Sequence, residues 1–194
     1  MKMVVQSFNF FNLQEGNQMT DKEIRDLFFK RTNEHINRVK RNALVLFRYD
    51  PIRFKYLLIQ ADKHDASKFE EPEFTPYIQL SYYYMCRKQG IEVKTSSDIK
   101  EQIKDAVFHH IKNNKHHPEY YYDAATRDRS GQLIDARSMP IISIAEMVCD
   151  WKAMSQELDN NVLDFANTVI DKKYTFSSDQ VILIYELIGA LKNG

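Results

Sequence analysis

The scarcity of glycine and proline is the feature that most constrains how this chain can fold. Only five glycines and five prolines occur in 194 residues. Few positions are therefore suited to the tight turns that a many-stranded sheet requires, and long helices are favoured. The sequence predicts an all-α, single-domain helical bundle of about six to eight helices over residues 20–194. Residues 1–19 are predicted to form an N-terminal extension.

Composition and charge exclude several classes of partner. Lysine plus arginine and aspartate plus glutamate each number 27, so the net charge of zero gives no general attraction to nucleic acid or to an anionic membrane. No apolar run approaches the ~20 residues of a membrane span. Cys86 and Cys149 have neither the spacing of a zinc knuckle nor the density of a secreted disulfide scaffold. We expect a cytoplasmic protein that binds neither membrane nor nucleic acid; the sequence leaves formation of a homo-oligomer open.

Two polar residues fall on apolar helical faces. A capping box at Thr20 and Glu23 predicts the start of a first helix, whose apolar spacing turns His35 inward. A later helix restarts near residues 138–140 and places Asp150 on one face with Met147, Met154 and Leu158. An isolated ionised carboxylate in an apolar interior costs several kcal/mol. Asp150 must therefore be paired, protonated or coordinated.

The doublet His64-Asp65 supplies the chemistry that Asp150 needs. A short helix beginning at Asp50-Pro51 is predicted to end at this doublet. An imidazole and a carboxylate side by side can ligate one divalent metal. Together with His35 and Asp150, the doublet gives two imidazoles and two carboxylates. This set suits manganese, iron, cobalt, nickel or magnesium better than a sulfur-rich zinc site.

Four more histidines cluster at the end of a helix that is predicted to begin at Ser97. His110 and His117 are seven residues apart, as are His109 and His116, so either pair could share a face if the turn at residues 113–114 stays nearly helical. We favour His110 with His117, because the stripe of His110 includes apolar side chains. A solvent-exposed histidine patch is the alternative.

In this arrangement the chain resembles the HD-domain superfamily of metal-dependent phosphohydrolases over roughly residues 20 to 160. That superfamily has a histidine, a His-Asp doublet and a distant aspartate on an all-α core, matched here by His35, His64-Asp65 and Asp150. The continuation to Lys68 is similar to the His-Asp-x-x-Lys form of the HD-GYP branch. The run His109 to Tyr120 also resembles small phage-encoded proteins, a likeness that implies no activity.

The resemblance implies hydrolysis of a nucleotide or other small phosphate ester by a metal-activated water. Asp65 would ligate the metal and orient the water, and Lys68 would bind phosphate. An ion pair of Lys68 with Glu70, Glu71 or Glu73 is an equally good interpretation. A di-iron oxygenase of the same superfamily and a non-catalytic metal-binding regulatory module are the alternative functions.

The number of metal ions is left open by the sequence. In binuclear members of the superfamily two further histidines hold a second ion and the doublet aspartate bridges. His110 and His117 are the candidates here, but they lie closer together in sequence than in the family, so one ion is expected and a second is optional. Glu146 could hydrogen-bond a ligating histidine, and Trp151 is expected in the core.

Residues 119–138 lack helical periodicity. They are predicted to form a loop excursion that serves as a lid or a substrate loop. Its arginines, together with Lys112 or Lys115, are further candidates to bind phosphate oxygens.

Overall fold

The structure is a computed structural model that describes residues 19–93 and 95–192. All but the last residue of the predicted N-terminal extension lies outside the described residues. The described part contains seven α-helices and one pair of two-residue parallel strands, which confirms the predicted all-α fold. The elements are α1 (Asp21–Tyr49), α2 (Leu57–Asp62), α3 (Phe74–Lys88), α4 (Ser97–Asn113), β1 (Ile134–Asp135), α5 (Ile141–Leu158), α6 (Val162–Val169), β2 (Tyr174–Thr175) and α7 (Ser178–Ala190).

Local sequence signals fix where several helices begin and end. Thr20 Oγ accepts the backbone N–H of Glu23, and the Glu23 carboxylate accepts the backbone N–H of Thr20 at 2.7 Å, so the predicted capping box starts α1. Ser177 and Gln180 form the same arrangement at α7. Gly90, with φ 72°, follows the end of α3, where a left-handed residue commonly stops a helix. Among the described residues, no helix is long and apolar enough to cross a bilayer.

The centre of the domain is the packing of α1 against α5, with α2 and α3 also on α1 and α7 on α5. Trp151 is buried in this core, as expected. The predicted single stripe on α5 is too narrow, because residues on most of its circumference are buried between α1 and α7. The prediction that Leu158 faces the core is wrong, because its side chain is 59% exposed. Leu158 is the last residue of α5, and the backbone of the next residue, Asp159, is left-handed.

The segment 119–138 is joined to the core by backbone hydrogen bonds and buried side chains. It begins with a 3-10 turn at Pro118–Tyr121 and ends in β1, where Ile134 N–H bonds Lys173 O at 2.9 Å and Ala136 N–H bonds Thr175 O at 2.9 Å. Ile134 and Ala136 are fully buried. The segment is therefore non-helical over most of its length, as predicted, and packs as part of the domain rather than as a detached lid.

Replacing a buried leucine of α1 should lower the free energy of unfolding more than replacing an exposed one. Leu46 is 0% exposed whereas Leu44, on the same helix, is 36% exposed. Leu46→Ala should lower the free energy of unfolding by about 3 kcal/mol, because it removes buried methyl groups and leaves a cavity. Leu44→Ala should cost less than about 1 kcal/mol. Urea unfolding measures both, and equal losses would contradict this description of the core.

Candidate metal centre

The His64-Asp65 doublet lies in the turn that follows α2. The helix ends at Asp62, and Asp65 adopts φ 58°, a left-handed conformation that aspartate and asparagine tolerate better than most residues. The turn directs both side chains inward, and His64 and Asp65 are almost completely buried. The prediction that a helix ends just before the doublet is confirmed, but its predicted start at Asp50-Pro51 is wrong, because residues 51–56 form turns and α2 begins at Leu57.

Four predicted residues from three segments meet at one point. His35, from the middle of α1, has Nε2 3.0 Å from Asp150 Oδ1 on α5 and 3.3 Å from His64 Nε2. Asp65 Oδ2 lies 3.7 Å from Nε2 of both His35 and His64. We call these donors, His35, His64, Asp150 and Asp65 Oδ2, the first donor group.

The other oxygen of Asp65 faces a second set of imidazoles. Asp65 Oδ1 lies 3.1 Å from His110 Nε2 and 3.6 Å from His116 Nε2. Each of His110, His116 and His117 offers a ring nitrogen, and these nitrogens lie within 4.8 Å of one another. We call the three histidines with Asp65 Oδ1 the second donor group. The Asp65 carboxylate thus lies between two clusters of potential metal ligands.

The structure brings His110 and His117 together, but not through the shared helical face that was expected. The structure places His110 inside and His109 on the surface, with its side chain 40% exposed. However, α4 ends at Asn113, Asn114 caps it, and the chain then turns back. The turn brings both His116 and His117 to His110, so the favoured pair His110 with His117 lies in the site, His116 joins it, and His109 does not. The stop at Asn113-Asn114 was visible in the sequence, but the direction of the turn was not.

Buried carboxylates hold the outer nitrogens of two of these rings. Glu146 Oε1 lies 2.9 Å from His64 Nδ1, and Glu73 Oε2 lies 2.8 Å from His110 Nδ1. An ionised carboxylate can only accept, so each Nδ1 must donate, and Nε2 is the nitrogen that faces the centre and can ligate a metal once it is deprotonated. Burial alone would raise the pKa of Glu146, but hydrogen bonds from His116 and His64 lower it to about 2. Glu146 was expected in this role, whereas Glu73 was missed.

Glu73 also contacts the exposed histidine of the cluster. Its Oε1 lies 2.8 Å from His109 Nδ1, and Ser67 Oγ donates to its Oε2 at 2.9 Å. In the sequence this residue ends an acidic run at residues 70–73 that is typical of a solvated surface. Only the packing of α3 on α4 brings the carboxylate under His110.

The electrostatics of the buried cluster favour a bound cation. Burial lowers the pKa of His64, but Asp65, Asp150 and Glu146 more than offset this and raise it to about 10. These carboxylates therefore hold a proton on a buried ring when nothing else supplies positive charge. Burial would raise the pKa values of Asp65 and Asp150, yet their cationic and hydrogen-bonding neighbours keep both well below the usual range, so both are ionised.

The second donor group has the free ligand atoms that a metal requires. Burial, and then neighbouring imidazoles, lower the pKa values of His116 and His117, which keeps both rings in the neutral form that ligates metal. Asp65 Oδ1 and His117 Nε2 are buried and make no hydrogen bond within the described residues. A buried polar atom without a partner is costly. Divalent cations would satisfy these atoms, so the residues fit a metal site.

Lys68 lies at the mouth of this cluster. Its Nζ donates to Asp65 Oδ2 at 2.6 Å and lies 5.0 Å from the centre of the Tyr77 ring. The doublet aspartate, rather than Glu70, Glu71 or Glu73, is thus its partner. A cavity of about 280 Å³ opens here, lined by Lys68, Arg31, Tyr77 and most of the donor residues.

The other cations considered for phosphate binding have structural partners. Lys112 Nζ donates to the carbonyl oxygens of Glu119 and Tyr122, at 2.9 and 3.0 Å. Arg127, Arg129 and Arg137 pair with acidic side chains. Lys115 is exposed and does not line the cavity at Lys68.

Comparison with known proteins places the chain in a family. The model of a family of unknown function, DUF5662, matches residues 25–189, which include every residue of both donor groups. The chain belongs to this family. No curated protein and no solved structure matches it. The family description names no activity, so the site must be interpreted from its own geometry.

Metal content should depend on the central carboxylate. Dialysed against Mn²⁺ and then against buffer, the protein should retain up to two equivalents by elemental analysis. Asp65→Asn keeps the shape and the left-handed backbone preference but removes the charge, and should abolish retention of both. Asp62→Asn is the control, because Asp62 is exposed and pairs with Lys40. Equal metal content in the two variants would contradict the site.

Glu73 should affect metal binding through His110. Glu73→Gln removes the negative charge behind His110 and leaves one accepting oxygen where two now serve His109 and His110, so it should weaken binding of the second ion about 10–100-fold. Glu70→Gln, on the exposed part of the same acidic run, should bind as the wild type does. Calorimetric titration of metal-depleted protein with Mn²⁺ measures both. Wild-type affinity in Glu73→Gln would show that Glu73 does not hold His110 for metal binding.

Proposed function

We propose that this protein is a metal-dependent phosphohydrolase that acts on a nucleotide or another small phosphate ester. The observation that carries the proposal is the Asp65 carboxylate between two nitrogen-rich donor groups, beside a cavity with a lysine at its mouth. The similarity of His35, His64-Asp65 and Asp150 to the HD-domain pattern supports the same chemistry.

Divalent cations bound here would supply a water of lowered pKa and neutralise charge that develops on the phosphoryl group. His35, His64 and Asp150 would hold one ion, His110, His116 and His117 the other, and Asp65 would contact both. Glu146 and Glu73 keep the Nδ1 protons of His64 and His110 in place, so that the Nε2 atoms remain available. The protein's part is to fix the ligands before substrate arrives.

Two cations border the cavity in which the phosphoryl group would lie. The Lys68 ammonium donates one hydrogen bond to Asp65, and its other N–H groups remain available for phosphate oxygens. Arg31, on α1, donates through Nε to Glu157 at 2.7 Å and lies 5.5 Å from the Tyr84 ring centre. Positive side chains around a buried carboxylate–imidazole centre favour an anionic substrate. These contacts support phosphate more than a neutral substrate.

A di-iron oxygenase is the second candidate. Three imidazoles in the second donor group make it rich in nitrogen, which suits iron as well as manganese or cobalt. A non-catalytic module is less consistent with two features of the site. Lys68 contacts a donor residue, and the donor residues line an accessible cavity. The two catalytic classes differ in the metal that they require and in whether they consume oxygen.

One experiment separates the classes. Metal-depleted protein is reloaded with Mn²⁺, Co²⁺, Mg²⁺ or Fe²⁺ and assayed for phosphate release from a panel of nucleotides and phenyl phosphate, with oxygen uptake followed in parallel. Phosphate release with Mn²⁺ or Co²⁺ that is lost in Asp65→Asn supports the proposal. Oxygen uptake with iron and no phosphate release selects the oxygenase. Neither activity, in protein that retains metal, contradicts both.

Lys68 should matter for turnover more than for folding. Lys68→Met removes a charge-assisted contact to phosphate and should lower kcat/KM roughly 10–100-fold. Lys63→Met, in the same turn and exposed, is the matched control and should retain wild-type kcat/KM. Phosphate release measured at several substrate concentrations gives both values. A Lys68→Met protein as active as the control would remove this lysine from the proposed role.

A further inference from the structure

A second cavity adjoins the donor groups. It has a volume of about 270 Å³ and shares Ile111, His117, Asp150 and Met154 with the cavity at Lys68. His117 and Asp150 belong to the two donor groups, so a molecule in this second cavity would lie beside the candidate metal centre. The mechanism proposed above leaves the cavity without a role.

The walls of the second cavity combine aromatic rings with two cations. Trp151 and Phe165 lie edge to face with their centroids 5.3 Å apart, and Tyr174 also lines the cavity. Arg129 and Lys173 supply the positive charge. Aromatic walls bind flat rings through stacking and apolar contact. A wall of this kind is suited to a ring, and its cations to an anionic substituent on that ring.

One of the two cations, Arg129, is paired with a buried carboxylate. Glu119 is fully buried, accepts Arg129 Nη1 at 2.7 Å and accepts the Tyr174 hydroxyl at 3.2 Å. Lys173 Nζ lies 3.7 Å from the same oxygen, beyond hydrogen-bond distance, and 4.5 Å from the Tyr174 ring centre. The charge of Arg129 is thus paired with Glu119, whereas the ammonium of Lys173 makes no hydrogen bond to a carboxylate and keeps its donors for a ligand. Asp150, the other carboxylate of the lining, is held by His35 Nε2 at 3.0 Å, so Lys173 is the cation that an anionic ligand would meet.

We propose that this second cavity binds a flat ring with an anionic substituent, the ring against Trp151 and Phe165 and the anion at Lys173. In the proposed phosphohydrolase it receives the leaving group, so the substrate is a phosphate ester whose alcohol portion carries a carboxylate or a second phosphoryl group on a ring. Only this second statement rests on the proposed function. The ring-binding site itself does not require turnover.

The sole tryptophan of the chain reports directly on this cavity. Full-length protein is titrated with benzoate, with phenylphosphonate and with the neutral isostere benzamide, and Trp151 fluorescence is followed. The two anions should change the emission at concentrations at least about tenfold below those that benzamide needs. The tighter of the two anions identifies the preferred charged group. Equal affinity for benzamide and both anions, or no change with any probe, overturns the proposal.

Paired lysine variants locate the charge that is recognised. Lys173→Met should weaken binding of the anions roughly tenfold and leave benzamide unchanged. Lys172→Met is the control, because Lys172 donates to Asn167 O and does not line the cavity. Far-UV circular dichroism checks that both variants fold. Unchanged anion affinity in Lys173→Met, or an equal loss in Lys172→Met, contradicts recognition by Lys173.

A kinetic comparison tests the role of the cavity in turnover. The value of kcat/KM for 4-carboxyphenyl phosphate should exceed that for phenyl phosphate, and Lys173→Met should reduce the ratio toward one. A ratio near one in the wild type contradicts the leaving-group assignment. Absence of hydrolysis of both esters would count against the proposed function, while the fluorescence titration would still decide whether the ring-binding site exists.

Discussion

The burial of the Asp65 carboxylate is the constraint on which the rest of this structure depends. An ionised carboxylate inside a protein is tolerated only when charges and donors surround it. Here its two oxygens face different groups of imidazoles, and Lys68 closes the open side. The left-handed backbone at Asp65 permits this, because it turns the chain after α2 so that the doublet faces residues of α1, α4 and α5.

Several helices and one turn place imidazoles and further carboxylates around Asp65. Helices α1 and α5 form the centre of the fold and bring His35 and Asp150 to within 3.0 Å of each other. The turn after α4 adds His116 and His117, while Glu73 and Glu146 hold imidazoles from behind. The same core that stabilises the domain therefore fixes the orientation of the ligand atoms. A rigid set of this kind lowers the cost of arranging ligands when a cation binds.

The sequence predicted the parts of the site that lie on regular helices. His35 and Asp150 stand out because a polar residue on an apolar stripe requires a partner, and the scarcity of glycine and proline indicated the all-α fold. His116 was named only in the less favoured pair, and Glu73 only as a possible partner of Lys68. Their positions depend on a turn after Asn114 and on the contact of α3 with α4, and neither leaves a periodic signal. The two-residue strands β1 and β2 are likewise too short to show alternation.

The most direct test of a carboxylate shared by two cations is crystallographic. Anomalous difference maps, collected from Mn²⁺-soaked crystals at the manganese absorption edge, locate bound ions independently of any activity. Two peaks should flank Asp65, one in contact with His35, His64 and Asp150 and the other with His110 and its neighbouring histidines. No peak at Asp65, or a single peak contacting only one of its oxygens, would contradict the arrangement described above.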